Sequence, residues 1–421
     1  MDLLEPVIQP YAWGSREAIA ELQGRPVPSP GPEAELWMGA HPSAPSGLER
    51  SGRHGTLDQV IAADPAAELG AGVAGAFGGR LPFLLKVLAA GQALSIQVHP
   101  SRAQAAAGYQ AENERGLAPG DKGRNYVDDW PKPEVLCALT RFEVLAGMRE
   151  PADAAALLRA LDVPALEPLA AALAAGTGAA GTGTGGAGGD ARAAVLARIL
   201  DWPAGEAGRL VAEVVAACGR VAAAGLATSG PYAASCAAIT RIAADHPADL
   251  GVVAALLLRY RVLEPGQAVF LPAGGLHAYL RGTGIELLAN SDNVVRAGLT
   301  GKHIDIPELL KLADPAVEVP VLAARDLGRG IAVYDTPAPE FRLYRASPGL
   351  AGGDEVTLPG DGPRLVLVTE GALVLRDPAA STLKLGRGES AFLPAGPAVT
   401  AAGHAVAFVA TAGDDGEPPG R

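Results

Sequence analysis

Three stretches of the sequence carry side chains that can hold a metal or move a proton. In "LSIQVHP" (94–100), read as a strand, Ser95, Gln97 and His99 share one face, and Ile96 and Val98 the other. "LHAYLRG" (276–282) alternates in the same way, with His277, Tyr279 and Arg281 on one face. Between them, "NYVDDWPKPEV" (125–135) brings Lys132 and Glu134 after a polar loop stiffened by Pro131 and Pro133. Gln97, His99, Glu134 and His277 together make an N/O ligand set on neighbouring strands. Two imidazoles and a carboxylate suit zinc or a similar divalent ion. A neutral glutamine in place of a second carboxylate leaves the site positive. That suits a Lewis acid that polarises a carbonyl and stabilises an enediolate. Two histidines and one carboxylate also fit an iron-dependent oxygenase. A lone strand histidine is most often a surface or hydrogen-bonded one, and His41, His54, His246, His303 and His404 are read that way.

The elements around these residues follow from texture. With 421 residues and 49% hydrophobic content, two or three domains are expected. The 54 Gly and 35 Pro call for many turns, as in a β-rich protein. Residues 1–150 alternate short apolar runs with Pro/Gly turns, and so do 256–320; together they are expected to form a catalytic β-barrel. From 151 to 255 apolar residues recur at helical spacing, for example Leu210, Val211, Val214, Val215 and Cys218, which predicts a helical insertion. Its stretch 174–190 is low-complexity and is expected to be a flexible loop without chemistry. Residues 321–411 return to strands, and 412–421 read as a flexible tail.

An internal repeat links the two β regions. "GQAVFLPAG" (266–274) aligns with "GESAFLPAG" (388–396), which predicts two related jelly-roll barrels. Three residues past Gly274 stands His277, whereas the same offset from Gly396 gives Val399. The second barrel is therefore expected to hold no metal and to pack on the first through "RLVLV" and "AVAFV".

The bulk numbers exclude several roles. The formal net charge is −12, with no Lys/Arg cluster, which argues against nucleic acid and anionic membrane as partners. Apolar runs are far shorter than the ~20 residues of a membrane helix. The N-terminus lacks a basic segment followed by an apolar one, and the three cysteines are widely spaced, so a reducing cytoplasm is expected.

Taken together, "AELWMGAHPSAPS", "LPFLLKVLAAGQALSIQVHPS", "NYVDDWPKPE" and "FLPAGGLHAYLRGTGIELLANSDNVVRAGLTGKHID" strongly resemble the type I mannose-6-phosphate isomerases. The motifs run in order from about residue 9 to residue 312; 150–255 and the C-terminal region match only in texture. The resemblance implies a mainly β protein: two cupin (jelly-roll) barrels plus a helical domain. It implies one zinc per chain, held by Gln97, His99, Glu134 and His277, and a monomer acting on a hexose 6-phosphate. The activity implied is interconversion of mannose 6-phosphate and fructose 6-phosphate through a cis-enediol, which links glycolysis to mannose and GDP-mannose metabolism. Arg296, Lys132 and Glu286 fall on catalytic positions, and Ser95, Lys86 and Tyr279 on substrate-binding ones. Many members carry Asn-His before Lys-Pro-Glu; here Trp130 and Pro131 stand there, so any role of that histidine is absent or filled by another group.

The chemistry sets its own demands. Removing the C2 proton leaves an oxyanion that needs fixed positive charge in a dry site, which zinc and Arg296 can supply. A base is also needed, and Glu286 or Lys132 is a candidate. The phosphate needs donors, for which Ser95 and Lys132 or Lys86 are expected. The alternatives are a non-catalytic phosphosugar-binding cupin and an iron-dependent cupin oxygenase.

Overall fold

A computed structural model of the chain describes residues 1–118, 120–176, 190–229, 232–350 and 355–413. Most of the 174–190 stretch and of the 412–421 tail lies outside the described residues.

Two antiparallel sheets dominate. One runs through the strands Val321–Ala323, Gln267–Leu271, Glu134–Ala138, His277–Ala289, Phe83–Ala90, Glu35–Met38 and Val7–Gln9. The long His277–Ala289 strand is its spine. Its second half pairs with Phe83–Ala90 and Glu134–Ala138, while its first half pairs with Phe142–Met148 and, at His277, with Gln97. The change of partner falls at Gly282, which has φ +133°. A Cβ there would lie 2.7 Å from the Phe142 ring, so only glycine lets the strand bend between the two ladders.

Period-two alternation divides these strands between two cores. Phe83, Leu85, Val87, Val135, Cys137, Ile285 and Leu287 point outward into a core shared with the C-terminal barrel. Leu88, Ala90, Leu136 and Ala138 point inward and fill the barrel with Phe142, Val144 and Val269. The same inward face continues as Lys86, Glu134 and Glu286, so one end of the barrel interior is apolar and the other polar.

The helical region packs where the texture change predicted it. Helices Pro151–Ala160, Glu167–Gly176, Ala191–Leu200, Ala204–Ser229 and Ala233–Asp245 bury Leu157, Leu173, Ile199, Val214 and Ile239. They share that core with Ile96, Val98, Ala278 and Val295. The apolar face of "SIQVH" is thus covered by helices.

The C-terminal barrel turns on strands Arg364–Arg376 and Thr400–Thr411. Leu365, Leu367, Val406 and Phe408 face the first barrel. Val366, Val368, Ala405 and Ala407 fill their own. The repeat is visible in three dimensions: Gly266 and Gly388 both start their strand at positive φ, and each unit leads into a long strand. Val399 is buried in the second barrel's apolar core.

Three details differ from the sequence reading. The strand Val321–Ala323 pairs with Gln267–Leu271 and so lies in the catalytic sheet, not in the C-terminal barrel. The N-terminal strand Asp2–Glu5 pairs with Ser390–Leu393 and Gly47–Arg50, so residues 2–5 and 47–56 lie in the C-terminal sheet although they precede the catalytic strands. Arg50 fixes this crossover through Asp2 at 2.6 Å and Glu68. A bulge between Tyr279 and Arg281 breaks the alternation there and turns Arg281 out to solvent.

Candidate metal centre and substrate cavity

The site is built from strand register. His277 opens its strand just after the tight turn at Gly274 (φ +81°), whose N–H donates to the His99 carbonyl at 3.0 Å. His277 is cross-strand to Gln97, and Arg296 is cross-strand to the same Gln97 from the other side. Cross-strand partners share a face, so both ligand strands and the arginine point into one mouth. Glu134 starts the neighbouring strand and is paired with Leu288.

Both imidazoles are oriented by their backbone. His99 Nδ1 donates to the Asn293 carbonyl at 2.7 Å, and His277 Nδ1 donates to the Gly275 carbonyl at 3.0 Å. Each ring therefore offers an unprotonated Nε2 to the interior. His99 Nε2 is buried without a hydrogen-bond partner and lies 3.4 Å from Glu134 Oε1; His277 Nε2 lies 3.7 Å from Glu134 Oε2. Gln97 Nε2 stands 3.2 Å from His277 Nε2, and a half-turn of the amide puts Oε1 in that place. Ligand atoms of His99, Glu134 and His277 all lie within 4.8 Å of one another. Burial pushes His99 down to about 3 against the pull of Glu134, and burial lowers His277 as well. Both rings are neutral at pH 7 and ready to ligate. The orphaned Nε2 and the N, N, O donor set fit a zinc ion.

A cavity of about 680 Å³ opens in front of these ligands. Ser95, Gln97, Lys86, Lys132, Glu134, Tyr279, Glu286 and Arg296 all line it. His99 and His277 sit behind, 1% and 0% exposed. Lys132 Nζ is 3.2 Å from Glu134 Oε1. Burial alone would raise Glu134, but Lys132 leads the charges that outweigh it and hold the carboxyl below its ordinary range, the imidazoles adding to this only when protonated. The Tyr279 hydroxyl donates to Glu134 Oε2 at 3.5 Å, and burial, then Glu286 and Glu134, push its phenol up. Lys86 lies between Glu286 at 3.4 Å and Glu35 at 3.6 Å, under the Trp37 ring. Its ammonium is committed to carboxylates. Glu286 is raised by burial first and by Glu134 second, against Lys86.

The cations without a carboxylate are elsewhere. Burial lowers Arg296, and burial and then Arg296 itself lower Lys302. No ion-pair partner is recorded for either among the described residues. Past Gly298, which is paired with Ile96, Thr300 and Lys302 line the same cavity as Ser95.

Sequence reasoning missed Lys302 and Asp292, while His41 is the hydrogen-bonded histidine it was read as. The signal for Lys302 was charge, since no acidic residue lies between Asn293 and Lys302. Asp292 faces the cavity and is held by His41 Nε2 at 3.3 Å; burial opposes its ionisation, but His41, Lys132 and Lys86 lower it overall.

The family model described as phosphomannose isomerase type I, catalytic domain, matches residues 1–151. The mannose-6-phosphate isomerase of Escherichia coli K12 is 36% identical over 406 residues, covering 94% of this chain and 96% of its own. That of Homo sapiens is 31% identical over 418 residues, covering 94% of each. A crystal structure of zinc-bound mannose 6-phosphate isomerase superposes with a TM-score of 0.83 at 34% identity, covering 98% of this chain and 99% of that one. A variant phosphomannose isomerase from Salmonella typhimurium gives 0.84 at 34% identity over the same shares.

Proposed function

The chain belongs to the type I phosphomannose isomerases, and on that premise we propose that it is a zinc-dependent aldose–ketose isomerase interconverting mannose 6-phosphate and fructose 6-phosphate through a cis-enediol. The observation that carries this is the convergence of two bare imidazole nitrogens and Glu134 beneath a cavity lined by Arg296 and Lys302, neither of which has an ion-pair partner among the described residues. Zinc held by Gln97, His99, Glu134 and His277 supplies Lewis-acid polarisation of the sugar carbonyl.

The chain's own residues divide the remaining work. Arg296, beside Gln97, sets a fixed positive charge where the enediolate oxygens develop. Lys302 and Ser95 receive the 6-phosphate by charge-assisted hydrogen bonds. Glu286, whose carboxyl is raised toward neutrality, takes the proton from C2 and returns it to C1. Lys86 fixes that carboxylate from one side. Lys132 is engaged with Glu134 and serves the ligand before the sugar. Tyr279 holds the other oxygen of Glu134.

This reading carries with it a soluble, monomeric cytoplasmic enzyme with no nucleic-acid or membrane partner. The net charge of −12 speaks against nucleic-acid and anionic-membrane partners, and among the described residues no helix is long and apolar enough to cross a membrane. The catalytic unit is the barrel built from 1–150 and 256–320, without the strands at 2–5 and 47–56 that pair into the C-terminal sheet and with Val321–Ala323 added at its edge, and the C-terminal barrel walls it structurally. The test is a coupled assay for fructose 6-phosphate formed from mannose 6-phosphate, before and after chelation and after zinc is restored. Turnover that chelation abolishes and zinc restores is the expected result. Phosphosugar binding without turnover, or bound iron with oxygen consumption, would overturn it.

A further inference from the structure

We propose that Asn293 is a positioning residue that ties the metal ligand His99 and the Lys132–Glu134 segment into one frame. The inference rests on the zinc reading above. Asn293 is 0% exposed, and every hydrogen-bonding group of its carboxamide is used on one loop. Its Oδ1 accepts from the N–H of Val127 at 2.8 Å and of Asp128 at 3.2 Å. Its Nδ2 donates to the carbonyls of Asp128 and Trp130, both at 2.8 Å, and to Asp128 Oδ1 at 3.2 Å. Its main-chain carbonyl accepts from His99 Nδ1.

The loop needs this brace. Pro131 and Pro133 carry no N–H, so the segment that delivers Lys132 and Glu134 has few donors of its own with which to hold its path. Side chains outside the loop must fix it: Ser291 donates its hydroxyl to Asp128 Oδ1 and the Trp130 carbonyl, and Asn293 supplies the larger share. The same residue decides which nitrogen of His99 faces the metal. One buried residue thus sets the direction of an imidazole ligand through its main-chain carbonyl and, through its carboxamide, the path of the loop that leads to the carboxylate ligand. Groups that orient metal ligands commonly change metal affinity by about 10–100-fold when removed.

The test compares wild type with Asn293→Ser, which cannot span the loop, and Asn293→Asp, which replaces the Nδ2 donor by an acceptor facing two carbonyls. Asn290→Ser is the control: Asn290 lies in the same turn but donates to the Leu81 carbonyl, away from the loop. Zinc affinity by competition, the visible absorption of the cobalt(II)-substituted protein, kcat and KM, and melting with and without zinc are measured. Both Asn293 variants are expected to bind zinc at least about tenfold more weakly, with an altered cobalt spectrum and a smaller rise in Tm on adding zinc. Their kcat should fall more than KM rises, and Asn290→Ser should match wild type. Wild-type zinc affinity and spectrum in Asn293→Ser would overturn the proposal. Equal loss of Tm with and without zinc, or failure of both variants to fold even in zinc, would overturn it too by making Asn293 a plain fold residue. Absence of zinc binding in the wild type would instead overturn the zinc reading itself.

Discussion

Lys86 and Glu286 stand directly across from one another on neighbouring strands, with Nζ 3.4 Å from Oε2 and both side chains buried. The barrel interior thus contains a cation whose partner is the carboxyl group proposed as the base. Removing the cation strands that carboxyl.

Lys86→Met should therefore act on stability and kcat, beyond any effect on KM. Breaking a buried pair from one side costs about 3–5 kcal/mol. In the zinc-free protein the folded-state carboxyl of Glu286 lies above its ordinary range, so the proton favours the folded form. Its stabilising contribution is complete below that ordinary range and is lost as pH rises through the raised value. Lys86 opposes the raise; without it the value climbs further. The loss of Tm relative to wild type should consequently be larger at about pH 8 than at about pH 5. Equal losses at the two pH values would show that Lys86 does not act through Glu286.

Zinc content follows from the donor set. Glu134→Gln removes the only anionic ligand and leaves Lys132 facing an amide at the position where its Nζ now meets Oε1 at 3.2 Å. Elemental analysis should find close to one zinc per wild-type chain and almost none in Glu134→Gln or His277→Ala. His404 is exposed on the second barrel, and His404→Ala should keep both zinc and activity. A second tightly bound metal that survives Glu134→Gln would transfer the chemistry away from this site.

Arg296 and Lys302 are separable by kinetics. Arg296 adjoins Gln97 and, on the proposed reading, acts on charge that grows only during the reaction, so Arg296→Ala should lower kcat more than it raises KM. On the same reading Lys302→Met removes a phosphate partner that serves substrate and transition state alike. KM should rise by about 10–100-fold, the loss of a charge-assisted hydrogen bond of ~1.5–3 kcal/mol, with kcat nearly unchanged. Inorganic phosphate should inhibit the variant more weakly by a similar factor. A large fall in kcat with KM unchanged would place Lys302 at the reacting carbons.

Much of the site was legible because strands write their faces into alternation. "SIQVH" sends Ile96 and Val98 to the helical core and Gln97 to the cavity, as period two requires. What alternation cannot show is which strand lies alongside. Lys86 looked available for phosphate, yet sheet register sets Glu286 opposite it and brings Glu35 within 3.6 Å. The crossover of Asp2–Glu5 was invisible for the same reason: a four-residue strand carries no record of a partner near residue 391. Lys302 sits on an irregular turn with no period at all. Asn293 was hidden because its work is on main-chain atoms, which are the same in every residue.

The low-complexity stretch gives the last prediction. The helix Glu167–Gly176 ends where the helix Ala191–Leu200 begins, and Asp190 caps the latter by accepting from the Arg192 N–H. The two ends adjoin: a Cβ built on Gly176 would lie 2.5 Å from the Ala191 Cβ. Leu173, Val195, Leu196 and Ile199 hold this pair in the helical core, and the sequence of 177–189, all Gly, Ala and Thr, carries no ionisable or metal-ligating side chain. The connection therefore needs only to turn the chain. Shortening it from thirteen residues (177–189) to about four reduces the entropy of loop closure by ~1 kcal/mol, since that entropy grows only as the logarithm of length. A four-residue Gly/Ser linker in place of 177–189 should leave kcat, KM and zinc content at wild-type values, with Tm equal or slightly higher. A fall in Tm together with lost zinc would mean that this stretch supports the metal site through the helices, and that its plain composition conceals a structural task.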